Sequence, residues 1–424
     1  MLKFPAPGNA AHGKYKLTRK GLAKWAAPNL ITALAVSLLL PATTSASGAG
    51  TNGEWSGNIA IEARSFAHAP LFDDQHSQYL SASVQPEYFR DWDNGRQSFL
   101  FTPFVRIDQY DDEKTHADIR ELSWIKASDT WELRAGIRKV YWGVTESQHL
   151  VDIINQTDTV ENVDGEDKLG QPMINLALIQ DWGTLDLFVL PGFRERTFPG
   201  KEGRLRTQLP VDTGKAIYEA GNDEQHTDLA VRWSHIIGDW DIGLSHFYGT
   251  SRDPRFTINK DGTALIPVYD IINQSGLSLQ TVINEWLWKL EMISRNGQDD
   301  RYAALTGGFE YTLVGLFESQ TDLGIISEYL YDDRDEAAAT AFQNDIMIGT
   351  RITFNDVQST EILAGLIVDL DNEGRLFNVE ASRRLGSTWK LNLEIRTFSN
   401  ISSNDPLYSL RDDDHLQIEL VKYF

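Results

Sequence analysis

Two residue pairs have types and spacing that could support hydrolysis: Ser147 with His149, and Asp74 with His76. A nucleophile needs a base within hydrogen-bond reach, a group that orients the base, and donors for the developing oxyanion. Neither pair sits in a motif that supplies these, and the nine histidines are scattered along the chain. No enzymatic activity is expected. The stretch "NVDGED" (162–167) is acidic, yet it lacks the full ligand spacing of an EF-hand loop. Neither a metal site nor a cofactor is expected.

A third chemistry needs no motif. Arg64, Arg106, Asp108, Arg134, Arg138, Arg232, Lys289, Glu291, Glu310, Arg351 and Arg396 all fall in stretches where polar and apolar residues alternate. Every second residue of a β-strand lies on the same face. If the apolar faces touch lipid, these charged residues line the interior of a barrel. There, opposite charges either set a transverse field across passing solutes or simply satisfy one another between strands. Phe104, Phe247 and Phe398 fall on the same face and could form an apolar pocket.

The elements that would carry these residues begin after a leader. Residues 1–28 hold Lys3, Lys14, Lys16, Arg19, Lys20 and Lys24 and no acid; the apolar run "LITALAVSLLLP" and the small residues "ATTSASGAG" follow. This is the layout of a secretory signal peptide, expected over residues 1–46. The apolar run falls short of the roughly 20 residues needed to span a bilayer as a helix. With those six cations set aside, 33 Lys and Arg face 61 Asp and Glu, a net charge of −28. Nucleic acid is excluded as a partner, since binding it requires a basic surface. The absence of cysteine removes disulfides and thiolate metal sites.

From residue 54 to residue 424 one unit recurs: about ten alternating residues, then a turn or a polar loop. "WSGNIAIEARSF", "WELRAGIRKVYWG" and "TWKLNLEIRTF" are examples. Tight turns such as "DNGR" (93–96), "DWGT" (181–184) and "GDW" (238–240) alternate with acidic loops over 143–172, 194–226, 250–270, 332–342 and 399–413. If "SGLSLQTVINEWLWKLEMISR" is one strand, two successive long loops fall on opposite sides. Divided at "VIN" (282–284), it yields eighteen strands, with every long loop on one side and both termini on the other. The expectation is an all-β, antiparallel, up-and-down transmembrane barrel with short periplasmic turns and long extracellular loops. Trp55, Trp131, Trp240, Trp286 and Trp389 open strands just after short turns, as an aromatic girdle requires.

The pentapeptide "DIINQ" occurs at 152–156 and again at 270–274. Either this is coincidence, or the first copy belongs to a loop that folds inward. On the second reading Asp152, Asn155, Gln156, Asp164 and Glu166 form a constriction, since loops this long are usually functional. The surplus acid of the loops either favours cations at the mouth or binds Ca²⁺ or Mg²⁺ bridging to lipopolysaccharide.

The closing residues, "HLQIELVKYF", resemble the C-terminal strand of Gram-negative outer-membrane proteins, departing from the common pattern at Lys422. The resemblance implies that Phe424 is read by the barrel-assembly machinery. In length and strand pattern the chain resembles porin-like barrels, and "LRAGIRKVYWG" is similar to a hairpin of alginate-export-type families. The implied function is diffusion of a small hydrophilic solute across the outer membrane, with the lipid bilayer and lipopolysaccharide as partners and a homotrimer left open. The alternative is a transporter for hydrophobic compounds such as a fatty acid, a hydrocarbon or an exported lipid.

Overall fold

The computed structural model describes residues 53–424 except 336, 337 and 339. The expected signal peptide, residues 1–46, lies outside the described residues. One sheet of eighteen strands closes on itself. Its first seven strands are β1 (Glu54–Phe66), β2 (Gln78–Trp92), β3 (Gln97–Asp108), β4 (His116–Ala127), β5 (Trp131–Arg138), β6 (Gln171–Gln180) and β7 (Gly183–Pro191). Then follow β9 (Thr227–Ile237), β10 (Trp240–Thr250), β13 (Ile271–Ile283), β14 (Trp286–Gly297), β15 (Asp299–Leu313) and β16 (Asp322–Asp332). The sheet ends with β17 (Asn344–Thr353), β18 (Glu361–Asp369), β19 (Arg375–Leu385), β20 (Trp389–Ser399) and β21 (His415–Tyr423). Each barrel strand pairs antiparallel with its neighbours in the chain, and β21 closes on β1 through Ala63↔Ile418 and Ile61↔Leu420. Closure leaves no unpaired edge, the condition for a sheet to cross a bilayer.

The tight turns are where the sequence places them. Asp93 and Asn94 take left-handed conformations between β2 and β3, which their short polar side chains tolerate. Asn284, also left-handed, separates β13 from β14, so the hairpin expected at 282–284 is real, with its turn at 284–285 and Val282 and Ile283 still paired in β13. No helix among the described residues is long and apolar enough to cross a membrane; the strands do so.

The faces are inverted relative to a water-soluble sheet. On β1, outward Ile61 is 41% exposed while its inward neighbour Glu62 is 5% exposed. Trp55, Trp182, Trp240, Trp286 and Trp288 stay exposed at the turn end of the strands, where an indole can be half in hydrocarbon and half in water. Trp286 stacks on Trp288 and meets Phe309 and Tyr311 of the next strand.

The connection between β5 and β6 covers 139–170. The loops also build a separate sheet that strand alternation does not reveal: β8 (Ile217–Tyr218), β11 (Arg255–Ile258) and β12 (Leu265–Tyr269). Its β8–β12 pair is parallel and joins two different loops, so no local pattern announces it.

Candidate functional site: the lumen and the segment that crosses it

The 139–170 connection lies inside the barrel, held at one end by two wall carboxylates two strands apart. Glu291 of β14 accepts hydrogen bonds from the Val144 N–H at 2.7 Å, the Thr145 N–H at 3.1 Å, the Thr145 hydroxyl at 2.8 Å and the Val151 N–H at 3.1 Å. Two strands on, Glu328 of β16 accepts from the N–H groups of Glu146 and Ser147 at 2.8 Å and from the Ser147 hydroxyl at 2.6 Å. Both glutamates are fully buried. A buried carboxylate needs this many donors, because an unsatisfied charge inside a protein is strongly penalised.

The far end of the segment reaches β20. Asn162 donates to Glu394 at 2.8 Å, and Arg396 pairs with Asp164 at 3.3 Å. Between these ends, Asp158 and Glu161 insert into a basic wall. Arg106 lies 2.8 Å from Glu161 and 3.0 Å from Glu62, Lys114 lies 2.8 Å from Glu62, and Arg120 binds Asp158. Burial would raise the Glu161 carboxyl, but Arg106 foremost, with His116 and Lys114, holds it down at about 2. His116, Asp158 and Glu161 converge as metal ligands would. The guanidiniums of Arg106 and Arg120 already occupy those carboxylates, so the donor set does not fit a divalent cation.

An apolar cluster locks the segment in place. Trp142, Val151, Ile153 and Ile154 pack against Met173, Phe188, Leu190, Phe247, Ile272 and Ile293 of the wall. Val163 joins a second cluster with Phe66, Tyr79, Leu205, Phe398 and Leu410. Phe104 lies instead beneath Arg120, whose guanidinium is 4.2 Å from the ring centroid.

The two "DIINQ" copies have different structures. In the first, Asn155 ties the segment to its own base, donating to Arg138 O and Leu169 O at 2.8 Å and accepting from Val140 N–H at 2.8 Å. Gln156 accepts from Arg196 at 3.3 Å. Asp152 accepts from Trp142 N–H and pairs with Lys168, both at 3.2 Å. Glu166 pairs with His149 at 2.8 Å. The second copy opens β13, and its Gln274 donates to Leu150 O at 3.3 Å. Leu150 lies two residues before the first copy, and the copies themselves share an apolar cluster through Ile153, Ile154 and Ile272.

All the charged residues singled out from alternation lie on inward-facing positions, as the registers followed from strand to strand around the barrel require. Arg64 bonds Gln417, Asp108 caps the 109–115 loop through the N–H groups of Tyr110 and Asp111, and Arg134 pairs with Glu132. Lys289 and Arg351 share Glu146 and Glu310. Arg138 and Arg232 have no ion pair among the described residues: Arg138 touches the Met173 sulfur and Arg232 the Trp142 ring. Arg120 was missed. It sits where the β3–β4 register shifts beside Pro103, and a proline inside a sheet marks such a bulge. Ser147 and His149 do not form a catalytic pair: Ser147 donates to Glu328, while His149 meets the Tyr141 hydroxyl and Glu166.

No protein-family model and no curated protein matches the sequence. Among solved structures, Wzi of Escherichia coli, described as an outer-membrane carbohydrate-binding β-barrel involved in group 1 capsule assembly, superposes with a TM-score of 0.50. The identity is 8%, over 86% of this chain and 83% of that one. A mutant of the Rh. blastica porin aligns with 88% of this chain and 100% of its own, at 8% identity and a TM-score of 0.44. The likeness to Wzi is one of fold. Closed ladder, apolar outer face and aromatic girdle decide the rest. This is an outer-membrane β-barrel. Phe424 ends it at the turn side, where its backbone exchanges two hydrogen bonds of 3.1 Å with Gly57.

Proposed function

We propose that this outer-membrane barrel is a channel for small hydrophilic solutes, narrowed by the 139–170 segment. The observation that carries this reading is the uneven wetness of the inward face. Glu361, Glu380 and Arg384 point inward from β18 and β19 yet are exposed, while the inward Glu62, Arg106, Glu291 and Glu328 are buried where the segment fills the lumen. A solvent-filled passage along β18–β20, with the anchored segment as its opposite wall, accounts for both. The acidic loops set the sign of the entrance and favour cations.

Planar-bilayer recordings of the purified protein test the proposal. Discrete conductance steps with a cation-preferring reversal potential are expected, and liposomes carrying the protein should swell in small sugars or amino acids. A barrel that is folded and inserted yet passes neither ions nor solutes overturns the reading. That result would favour a second one, a barrel that binds a glycan at its loop side, which the extent of lumen filled by loops supports.

A further inference from the structure

The turn side of the lumen is built differently from the segment-filled loop side. Following the registers around the wall, the inward positions nearest the turns include Ile179 in β6, Ile236 in β9, Val282 in β13 and Leu287 in β14, with Phe89 in β2. These are lumen-facing, not lipid-facing, yet Ile236 is 68% and Val282 60% exposed. Apolar side chains held open to water on a concave wall are an unfilled surface.

Four residues up β9, on the same face as Ile236, stands Arg232. Its direct cross-strand neighbour Asp186 is turned away, 3.6 Å from Arg134 and accepting from Asn175 at 3.1 Å. Arg232 instead lies over Gly243, where a Cβ would come within 3.0 Å of its Nη2, and 5.4 Å from the Trp142 ring centroid. The guanidinium is half-buried and forms no ion pair among the described residues. A carboxylate satisfies that geometry through two parallel N–H···O bonds. The rise from Arg232 to Ile236 is about 13 Å, comparable to an extended laurate chain. On β10 Asp241 lies directly beside Ile236 on one side and Gln280, the inward residue before Val282, on the other, and it is exposed; it repels a carboxylate there and so directs the head inward.

We propose that the turn side of the lumen binds a straight-chain fatty carboxylate, with its head on Arg232 and its chain along Ile236, Val282 and Leu287. The site does not depend on whether the barrel conducts.

The chain has no cysteine, so Val282→Cys introduces a unique thiol. In a neutral maltoside detergent at fixed concentration, its modification rate by a charged methanethiosulfonate is measured with laurate or with dodecyltrimethylammonium. Laurate should slow the reaction about tenfold once nine sites in ten are filled, and the cation should not. The preference should vanish when Arg232→Gln is added and survive Arg232→Lys, which keeps the charge and controls for misfolding. An outward thiol at Ile283→Cys should respond equally to both amphiphiles. Absence of protection, equal protection by the cation, or a preference that persists in Arg232→Gln overturns the proposal.

Discussion

The loop side and the turn side of this lumen are lined by the same strands in the same alternation, yet one is dry and densely ion-paired while the other is wetter, more sparsely paired and partly apolar. On the loop side every inward carboxylate discussed above meets a guanidinium, an ammonium or a backbone N–H, because 139–170 delivers partners to the wall. On the turn side it delivers less: Glu146 reaches Lys289 and Arg351, but Arg232 receives only the Trp142 ring and no ion pair, and Ile236 keeps its surface open. Alternation therefore decides which way a side chain points. What it meets there depends on chain entering from far away in sequence.

The largest effect should come from breaking the loop side where several charges depend on one residue. Glu62 lies 3.0 Å from Arg106, 2.8 Å from Lys114 and 3.6 Å from Arg64. Glu62→Ala leaves these cations buried together, and removing one partner of a buried ion pair typically costs about 3–5 kcal/mol. The midpoint of urea unfolding in detergent should fall accordingly. Glu361→Ala, at an inward but exposed site, should leave it unchanged. Equal effects at the two sites would erase the distinction between the halves.

Next comes the anchorage itself. The double substitution Glu291→Ala with Glu328→Ala strips the acceptors from 144–147 and 151 without touching the basic wall. Each buried N–H left without a partner is penalised by about 1–3 kcal/mol, enough to free this end of the segment while the barrel ladder holds. Single-channel conductance should rise severalfold, with heat-modifiable gel migration unchanged. An unaltered conductance would mean that this end of the segment does not narrow the path.

Strand number, inside and outside, and the girdle were legible because each is a local pattern with a period of two. The alternation of Glu62 and Arg64 with Ile61 and Ala63 is enough to orient β1. The lumen contents were legible only in outline. "DIINQ" marked the right loop, but Val144 and Thr145 find Glu291 across nearly 150 residues of chain, and no spacing rule connects them. Arg120 was hidden by a bulge that shifts the phase of β4. The apolar turn-side arc was hidden for another reason: Val282 reads as part of a turn, and an isoleucine at 236 next to one at 237 reads as a strand end rather than as an inward face. Alternation assigns faces by polarity, so an apolar residue that points inward is what it misfiles.

The smallest expected effect is a pH dependence confined to the loop side. His149 lies in the inserted segment, 2.8 Å from Glu166 and 4.0 Å from Glu291. Burial works against its charge, but the carboxylates of Glu166, hydrogen-bonded to it, and of nearby Glu291 outweigh that and raise it to about 10. A histidine whose pKa is raised in the anchored state stabilises that state fully below its ordinary value of 6.5. The contribution is lost as pH climbs from there toward 10. Conductance should therefore increase modestly between pH 7 and 10, and His149→Gln should abolish the rise by removing the titrating group. Modification of a thiol at Val282→Cys on the turn side should follow only the intrinsic ionisation of the thiol over the same range. A rise in conductance on acidification, or one that persists in His149→Gln, would mean that this anchor is not what the imidazolium holds in place.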